Sequence, residues 1–345
     1  MSNYKKEHFK ELNEKSKIII AGLPEACKDF FVAMEDSISK NTKLSYATQL
    51  KIFFSYMVEN NSYLKTKGMR NISLDDINMI KPKDIEQFLY DLEEFTGAKK
   101  EIAVSTKNHY IATLSSFFKY LYSHEYIDHD PVSAVRRKKN KKKRVVYLDD
   151  NERKEFIDTV STVPKSRSGH ISAKKTRDTI RNTAIVKLFL STGIRVSELV
   201  GLDVNDINWN EHSITVDRKG GDRDPDVFYS DEAEIALKDY MTVRDEYKHD
   251  EKEPALFLSS KTASRMSVRG IQNMVEKIAK TADIGEKKDK LSVHKLRSSF
   301  AAHRLANNGQ DLMDVKNALN HESIESTMHY VPSKTREERR KNRNL

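Results

Sequence analysis

Six residues scattered through the second half of this 345-residue chain carry the side chains needed to break and remake a phosphodiester: Arg195, Lys219, His294, Arg297, His321 and Tyr330. They offer guanidinium forks, an ammonium, imidazoles and a phenol, a set that can attack and stabilise a phosphate without a metal. A phosphodiester under attack gains charge on its nonbridging oxygens, and a planar arginine fork donates two parallel hydrogen bonds to such oxygens. Arg195 and Arg297 would form that clamp. Glu198 follows Arg195 by three residues, so on a helix the two share a face, and the carboxylate either holds the guanidinium or caps the first turn. His294 and Arg297 repeat that spacing near a helix N-terminus, where a phosphate is welcome. A free phenol has a pKa of about 10, so Tyr330 needs cations and a proton acceptor beside it to act as a nucleophile. Any one of the 14 tyrosines is more often a packing residue, and the nine-residue step from His321 is what singles out Tyr330.

The elements that must position these residues are legible in the apolar periodicity. Residues 24–135 are helical throughout and read as a small four-helix bundle. Tyr46, Leu50, Phe53, Phe54 and Met57 share one helical face behind an Asn41 or Thr42 cap, and Ile111, Leu114, Phe118 and Leu121 repeat the pattern behind Ser105. Pro82 suits the first turn of a helix carrying Ile85, Phe88, Leu89 and Leu92. The aromatic stripes read as core, not as a platform for stacked bases. From residue 145 a mixed domain begins, with helices expected at 151–160, 180–190, 268–281, 294–307 and 312–319. Gly193 ends the second of these. Strands at 214–216 and 227–229 form a hairpin with Lys219, Gly220 and Gly221 at its tip. The fold class is therefore mainly α with a small β-hairpin.

Lys plus Arg total 61 against 52 for Asp plus Glu, a net charge of +9 that suits a polyanionic partner, although a solubilising surface would produce the same balance. The charge is concentrated at residues 136–144, where Arg136, Arg137, Lys138, Lys139, Lys141, Lys142, Lys143 and Arg144 are interrupted only by Asn140. Such a run repels itself and cannot pack, so it reads as an interdomain linker able to follow a phosphate backbone; its position between two helical patterns favours that over an import tag. Cys27 is the only cysteine, which excludes an intrachain disulfide framework and points to a reducing, cytoplasmic setting. The apolar run 18–23 is far too short to span a bilayer, and no secretion signal or membrane partner is expected. His329, adjacent to Tyr330, stands eight residues after His321 and lacks a clustered carboxylate partner, so no metal or other cofactor is expected. The expected organisation is a flexible extension at 1–23, a helical domain at 24–135, the linker at 136–144, a catalytic domain at 145–330 and a polar tail at 331–345.

Three segments, TGIRVSELVGL at 192–202, HKLRSSFAAH at 294–303 and LNHESIESTMHY at 319–330, resemble the signature boxes of the tyrosine recombinases, the family of the phage integrases and the Xer chromosome-resolution enzymes. The resemblance covers residues 145–330 closely and the helical part more loosely, as a SAM-like core-binding domain. It implies a site-specific recombinase acting on a double-stranded DNA recombination site through a 3′-phosphotyrosyl intermediate. Tyr330 would be the nucleophile, His294 the proton acceptor near it, His321 a donor to the phosphate and Lys219 the general acid for the departing 5′-oxygen, with Glu198 in support. Lys43, Lys107 and the basic linker would contact DNA, and four protomers, identical or shared with a related recombinase, would assemble on two sites. A type IB topoisomerase or a catalytically silent DNA-binding protein of the same fold are the alternatives. Asn320 stands where the family often has Gly, and Ser298 where a second His commonly follows the Arg. Neither is expected to touch a catalytic atom. The hairpin KGGDRD at 219–224 is more acidic than usual, so that Asp222 or Asp224 would compete for Lys219.

Overall fold

The computed structural model describes residues 2–139, 145–164, 172–218, 223–248, 250, 252–307, 311–320 and 322–328. They fall into two compact units, Asn3–Lys142 and Lys143–Leu345, the latter grouped with Met1–Ser2.

The first unit is all helical: α1 (Asn3–Ala21), α2 (Glu25–Ala33), α3 (Lys40–Asn60), α4 (Ser62–Lys67), α5 (Leu74–Asn78), α6 (Pro82–Thr96) and α7 (Val104–Ser123). Its core is built from phenylalanine. Phe53, Phe54, Phe117 and Phe118 on α3 and α7 meet Phe30 of α2 and Phe88 of α6, all fully buried. Their rings pack edge to face, with centroids 5.2 Å apart for Phe53 and Phe88 and 5.9 Å for Phe54 and Phe117, the arrangement favoured by the ring quadrupole. The aromatic stripes are core. Pro82 opens α6, and Gly97 closes it in the left-handed region at φ 62°.

Two caps differ from expectation. The N-cap of α3 is Ser39, whose Oγ accepts from the Thr42 N–H at 3.1 Å, so Asn41 and Thr42 lie inside the helix. α7 starts at Val104 behind Ala103, with Ser105 already helical. The expected flexible extension is also corrected: Asn3–Ala21 form a 19-residue helix against α3, burying Leu12 and Ser16 and packing Ile19 and Ile20 on the core. A polar helix with so narrow an apolar stripe leaves little periodic signal in the sequence.

The second unit holds α8 (Asp150–Ser161), α9 (Ala173–Thr192), α10 (Val196–Val200), strands β1 (Ile207–Asn208), β2 (Ser213–Asp217) and β3 (Arg223–Phe228), then α11 (Asp231–Arg244), α12 (Val268–Thr281), α13 (Val293–Asn307), α14 (Leu312–Leu319) and α15 (Ile324–Met328). The sheet runs β1-β2-β3 and is antiparallel, pairing Ile207 with Ile214 and Ile214 with Val227. The hairpin forms where alternation places it; two-residue β1 is too short to announce itself. α9 ends at Gly193, at φ 63°, where a side chain would be doubly excluded, because a Cβ there would lie 2.3 Å from the Phe300 ring. That close approach seats α13 against the end of α9. Phe300 and Ala301 of α13 then pack with Val315 and Leu319 of α14, while the Ser299 hydroxyl accepts from the Leu148 N–H at 2.8 Å and donates to the Lys295 carbonyl. Among the described residues no helix is long and apolar enough to cross a membrane.

Candidate active site

Two arginines meet at the ends of helices. Arg195 is the N-cap of α10, whose first turn leaves backbone N–H groups unpaired. Glu198 answers this by reaching back: its Oε2 accepts from the Arg195 N–H at 2.7 Å and its Oε1 from Arg195 Nη1 at 2.8 Å. The carboxylate therefore caps the turn and holds the guanidinium, both roles open to it from spacing. Arg195 Nη2 donates to the Asn320 carbonyl at 3.2 Å. Arg297, almost wholly buried, donates through Nη1 to the Gly193 carbonyl at 2.6 Å and through Nη2 to the Leu319 carbonyl at 2.5 Å. These carbonyls lie at the C-terminal ends of α9 and α14, where carbonyls lack intrahelical partners and the macrodipole favours a cation.

The two guanidiniums thus lean on consecutive carbonyls, Leu319 and Asn320, and converge at one point of the chain. The Asn320 expectation is corrected here: its carbonyl touches Arg195. Asn320 adopts φ 47° as the C-cap of α14, a left-handed geometry that Gly takes most easily and Asn next, so the replacement keeps the turn. Ser298 is buried and its hydroxyl donates to the His294 carbonyl at 3.2 Å, bracing the first turn of α13.

His294 occupies that first turn with its side chain at the surface. Partial burial, and then the charges of Lys295, Arg297 and Arg195, hold its pKa below the ordinary histidine value, so the neutral ring prevails at pH 7. A neutral imidazole can take a proton. Arg195, Glu198, His294 and Arg297 are brought together. Lys219, His321 and Tyr330 lie outside the described residues; in the sequence Lys219 falls between β2 and β3, and His321 follows Asn320.

One residue of this cluster was not anticipated. Arg218 is 4% exposed, and its Nη1 donates to Glu198 Oε2 at 3.1 Å while its Nε donates to Asp224 Oδ2 at 2.9 Å. Asp224, expected to compete for Lys219, is thereby engaged by Arg218. The missed signal is alternation. Ile214, Val216 and Arg218 are 0%, 1% and 4% exposed, so the arginine continues the buried face of a strand.

The expected DNA contacts divide. Lys43 is buried, and its ammonium is held by Glu35, whose pKa Lys40 and Lys43 bring down to about 2. Lys107 lies 3.6 Å from the Glu93 carboxylate. Arg136, Arg137, Lys138 and Lys139 are exposed, and the Lys138 carbonyl accepts from Asn108 Nδ2 at 2.8 Å, which anchors the start of the basic run on α7. Lys141, Lys142, Lys143 and Arg144 lie outside the described residues.

Residues 147–337 match the family model described as the phage integrase family. Tyrosine recombinase XerS of Streptococcus equi subsp. zooepidemicus is 28% identical over 318 residues, covering 85% of this chain and 87% of its own. Tyrosine recombinase XerC of Caldanaerobacter subterraneus subsp. tengcongensis is 30% identical over 298 residues, covering 85% and 78%. Among solved structures, the post-cleavage complex of the XerH site-specific recombinase with a palindromic difH substrate superposes with a TM-score of 0.64 at 20% identity, covering 89% of this chain and 80% of that one.

Proposed function

The chain belongs to the phage integrase family and is a site-specific tyrosine recombinase, and from that premise we propose that it cuts and rejoins duplex DNA with Tyr330 as nucleophile inside a clamp made by Arg195 and Arg297. The observation that carries this reading is the convergence of both guanidiniums on the carbonyls of Leu319 and Asn320, immediately before His321 and ten residues before Tyr330.

The Tyr330 phenol gives its proton to neutral His294 and its oxygen bonds to the scissile phosphorus. The bond from phosphorus to the 5′-oxygen breaks, leaving a 3′-phosphotyrosyl link and a 5′-hydroxyl that takes its proton from Lys219. One phosphodiester is exchanged for another, so no external energy source enters. The charge that builds on the nonbridging oxygens meets preset arginine forks, which need no reorganisation as the reaction proceeds. His321 donates to the same phosphate from the other side.

Double-stranded DNA is the partner of this chemistry, with the exposed linker residues from Arg136 to Lys139, continued by Lys141, Lys142, Lys143 and Arg144, lying along its backbone. Joining two duplexes takes four cleavages, so four protomers assemble on two sites, as a homotetramer or with a related recombinase, in the cytoplasm.

A nicked suicide duplex tests the assignment. It should trap protein on a DNA 3′ end, and Tyr330→Phe should abolish the adduct while leaving binding intact. An adduct that persists in the Phe variant rejects Tyr330. A wild-type protein that binds but never forms an adduct is a silent binder, and one that relaxes supercoils without joining two duplexes is a topoisomerase.

A further inference from the structure

We infer that Arg218 is a positioning residue of the reaction, acting through Glu198 to set the Arg195 half of the phosphate clamp. The inference rests on the reading of Arg195 as a phosphate ligand.

Glu198 is buried, with its side chain 3% exposed, and its two oxygens serve three donors. Oε1 takes the Arg195 guanidinium. Oε2 takes both the Arg195 backbone N–H and Arg218 Nη1, so the oxygen that fixes the start of α10 is itself fixed by Arg218. A lone buried carboxylate facing one arginine can swing about its side-chain torsions, whereas one whose two oxygens are held by different guanidiniums is restricted in orientation. Arg218 is in turn anchored by Asp224 across the hairpin, where Nε and Nη2 both lie 2.9 Å from Oδ2. The chain of contacts runs Asp224, Arg218, Glu198, Arg195. It makes the base of the β2–β3 hairpin a wall against which the clamp is set. Arginine suits this place because a planar fork bridges two carboxylates at fixed angles, which a lysine cannot copy.

The charge at the scissile phosphate discriminates this role from general support of the fold. A duplex with a methylphosphonate at the scissile position replaces one charged nonbridging oxygen by a methyl group, so less negative charge builds up in the transition state and less depends on the clamp. A protein that is merely less stable gains nothing from that change. On the nicked duplex, Arg218→Met should slow covalent adduct formation by about 10- to 100-fold, the usual scale for residues that orient a reacting side chain, with binding of the duplex unchanged. On the methylphosphonate duplex its deficit should shrink to about 3-fold or less, because the compensated step is the one Arg218 serves. The double variant Glu198→Gln/Arg218→Met should be no slower than the worse of its two singles, since both act along one path.

Losses that multiply in the double variant, or an Arg218→Met deficit equal on the two duplexes while that of Arg195→Ala is relieved, would overturn the inference. Should Arg218→Met not fold, Arg218→Lys, which keeps the buried charge and loses the fork, carries the same expectations. Arg195→Ala separates the two levels of the reading: if methylphosphonate leaves its defect untouched, the clamp assignment falls, and the double variant still decides whether Arg218 works through Glu198.

Discussion

The interior of the helical unit and the active-site corner of the recombinase unit are held together by different means. Around Phe53, Phe54, Phe117 and Phe118 the interior is apolar ring against ring, held by shape and area, and indifferent to charge. Around Gly193, Arg195, Arg297 and Leu319 a small apolar cluster is stitched by guanidinium to carbonyl contacts. The second arrangement places the Arg297 cation where water is scarce, which is costly unless its donors find acceptors. The helix ends supply those acceptors. A core of the first kind makes a rigid body. On the proposed reading, a core of the second kind also keeps charges in readiness for a phosphate, so that structural and chemical demands fall on the same atoms.

That contrast breaks most visibly under large substitutions. Phe117→Ala should cost about 3–5 kcal/mol of stability, read by denaturant unfolding, and whatever variant protein remains folded should form the phosphotyrosyl adduct at the wild-type rate. An equally large fall in the single-turnover rate would show that the two interiors are not separate in kind. Arg297→Lys works in reverse. A lysine cannot bridge the Gly193 and Leu319 carbonyls, and adduct formation should drop by on the order of 10² to 10³. Full activity after that change would remove Arg297 from the clamp.

Gly193→Ala tests the steric half of the contrast. The added methyl meets the Phe300 ring at 2.3 Å in a left-handed backbone, and a loss of roughly 2 kcal/mol or more is expected; a Tm unchanged from wild type would mean that Phe300 yields freely. A pH profile tests the electrostatic half. His294 titrates below the ordinary histidine value, so cleavage should hold near neutrality and fall as pH drops through a point below about 6.5. His294→Gln should be slower at pH 7 and lose that acid limb. A limb kept by the Gln variant would belong to another group. The sign for stability is the same: the unfolded ring binds its proton more readily, so acid favours unfolding. The smallest effect is expected outside both interiors. Replacing Lys138, Lys139, Lys141 and Lys142 by Gln should flatten the slope of log K against log salt by about 0.9 for each phosphate that is no longer neutralised, with little change in sequence preference; an unchanged slope would leave the run a spacer.

How much of this was legible in the sequence follows the range of the interactions. Pro82 and Gly193 mark helix ends because their backbone preferences act locally, and both ends are found where they stand. Arg195 and Glu198 are three residues apart, so their pairing was readable from spacing. The partners of Arg297 at Gly193 and Leu319, and of Arg195 at Asn320, are backbone atoms far along the chain, and no side-chain motif encodes a carbonyl. Arg218 was hidden for a related reason: its partner Glu198 is 20 residues away, and a lone arginine after a strand looks like a surface charge unless the buried face is counted through it. The pairing of Lys43 with Glu35 was not readable because it depends on how the chain turns between α2 and α3. Helix α1 was missed because Leu12 and Ser16 make a stripe too thin to stand out.

The leaning of both guanidiniums on the last turn of α14 has a consequence for how this chain tolerates changes in length. Each residue inserted into an α-helix turns everything beyond it by about 100°. One residue added within Leu312–Leu319 would swing the Leu319 and Asn320 carbonyls away from Arg297 and Arg195 together. The same insertion at 99–101, an exposed stretch between α6 and α7, would change only the length of a connection. Eight residues of one short helix therefore act as a fixed ruler, and lineages of this protein should vary in the length of their loops while that helix keeps its count.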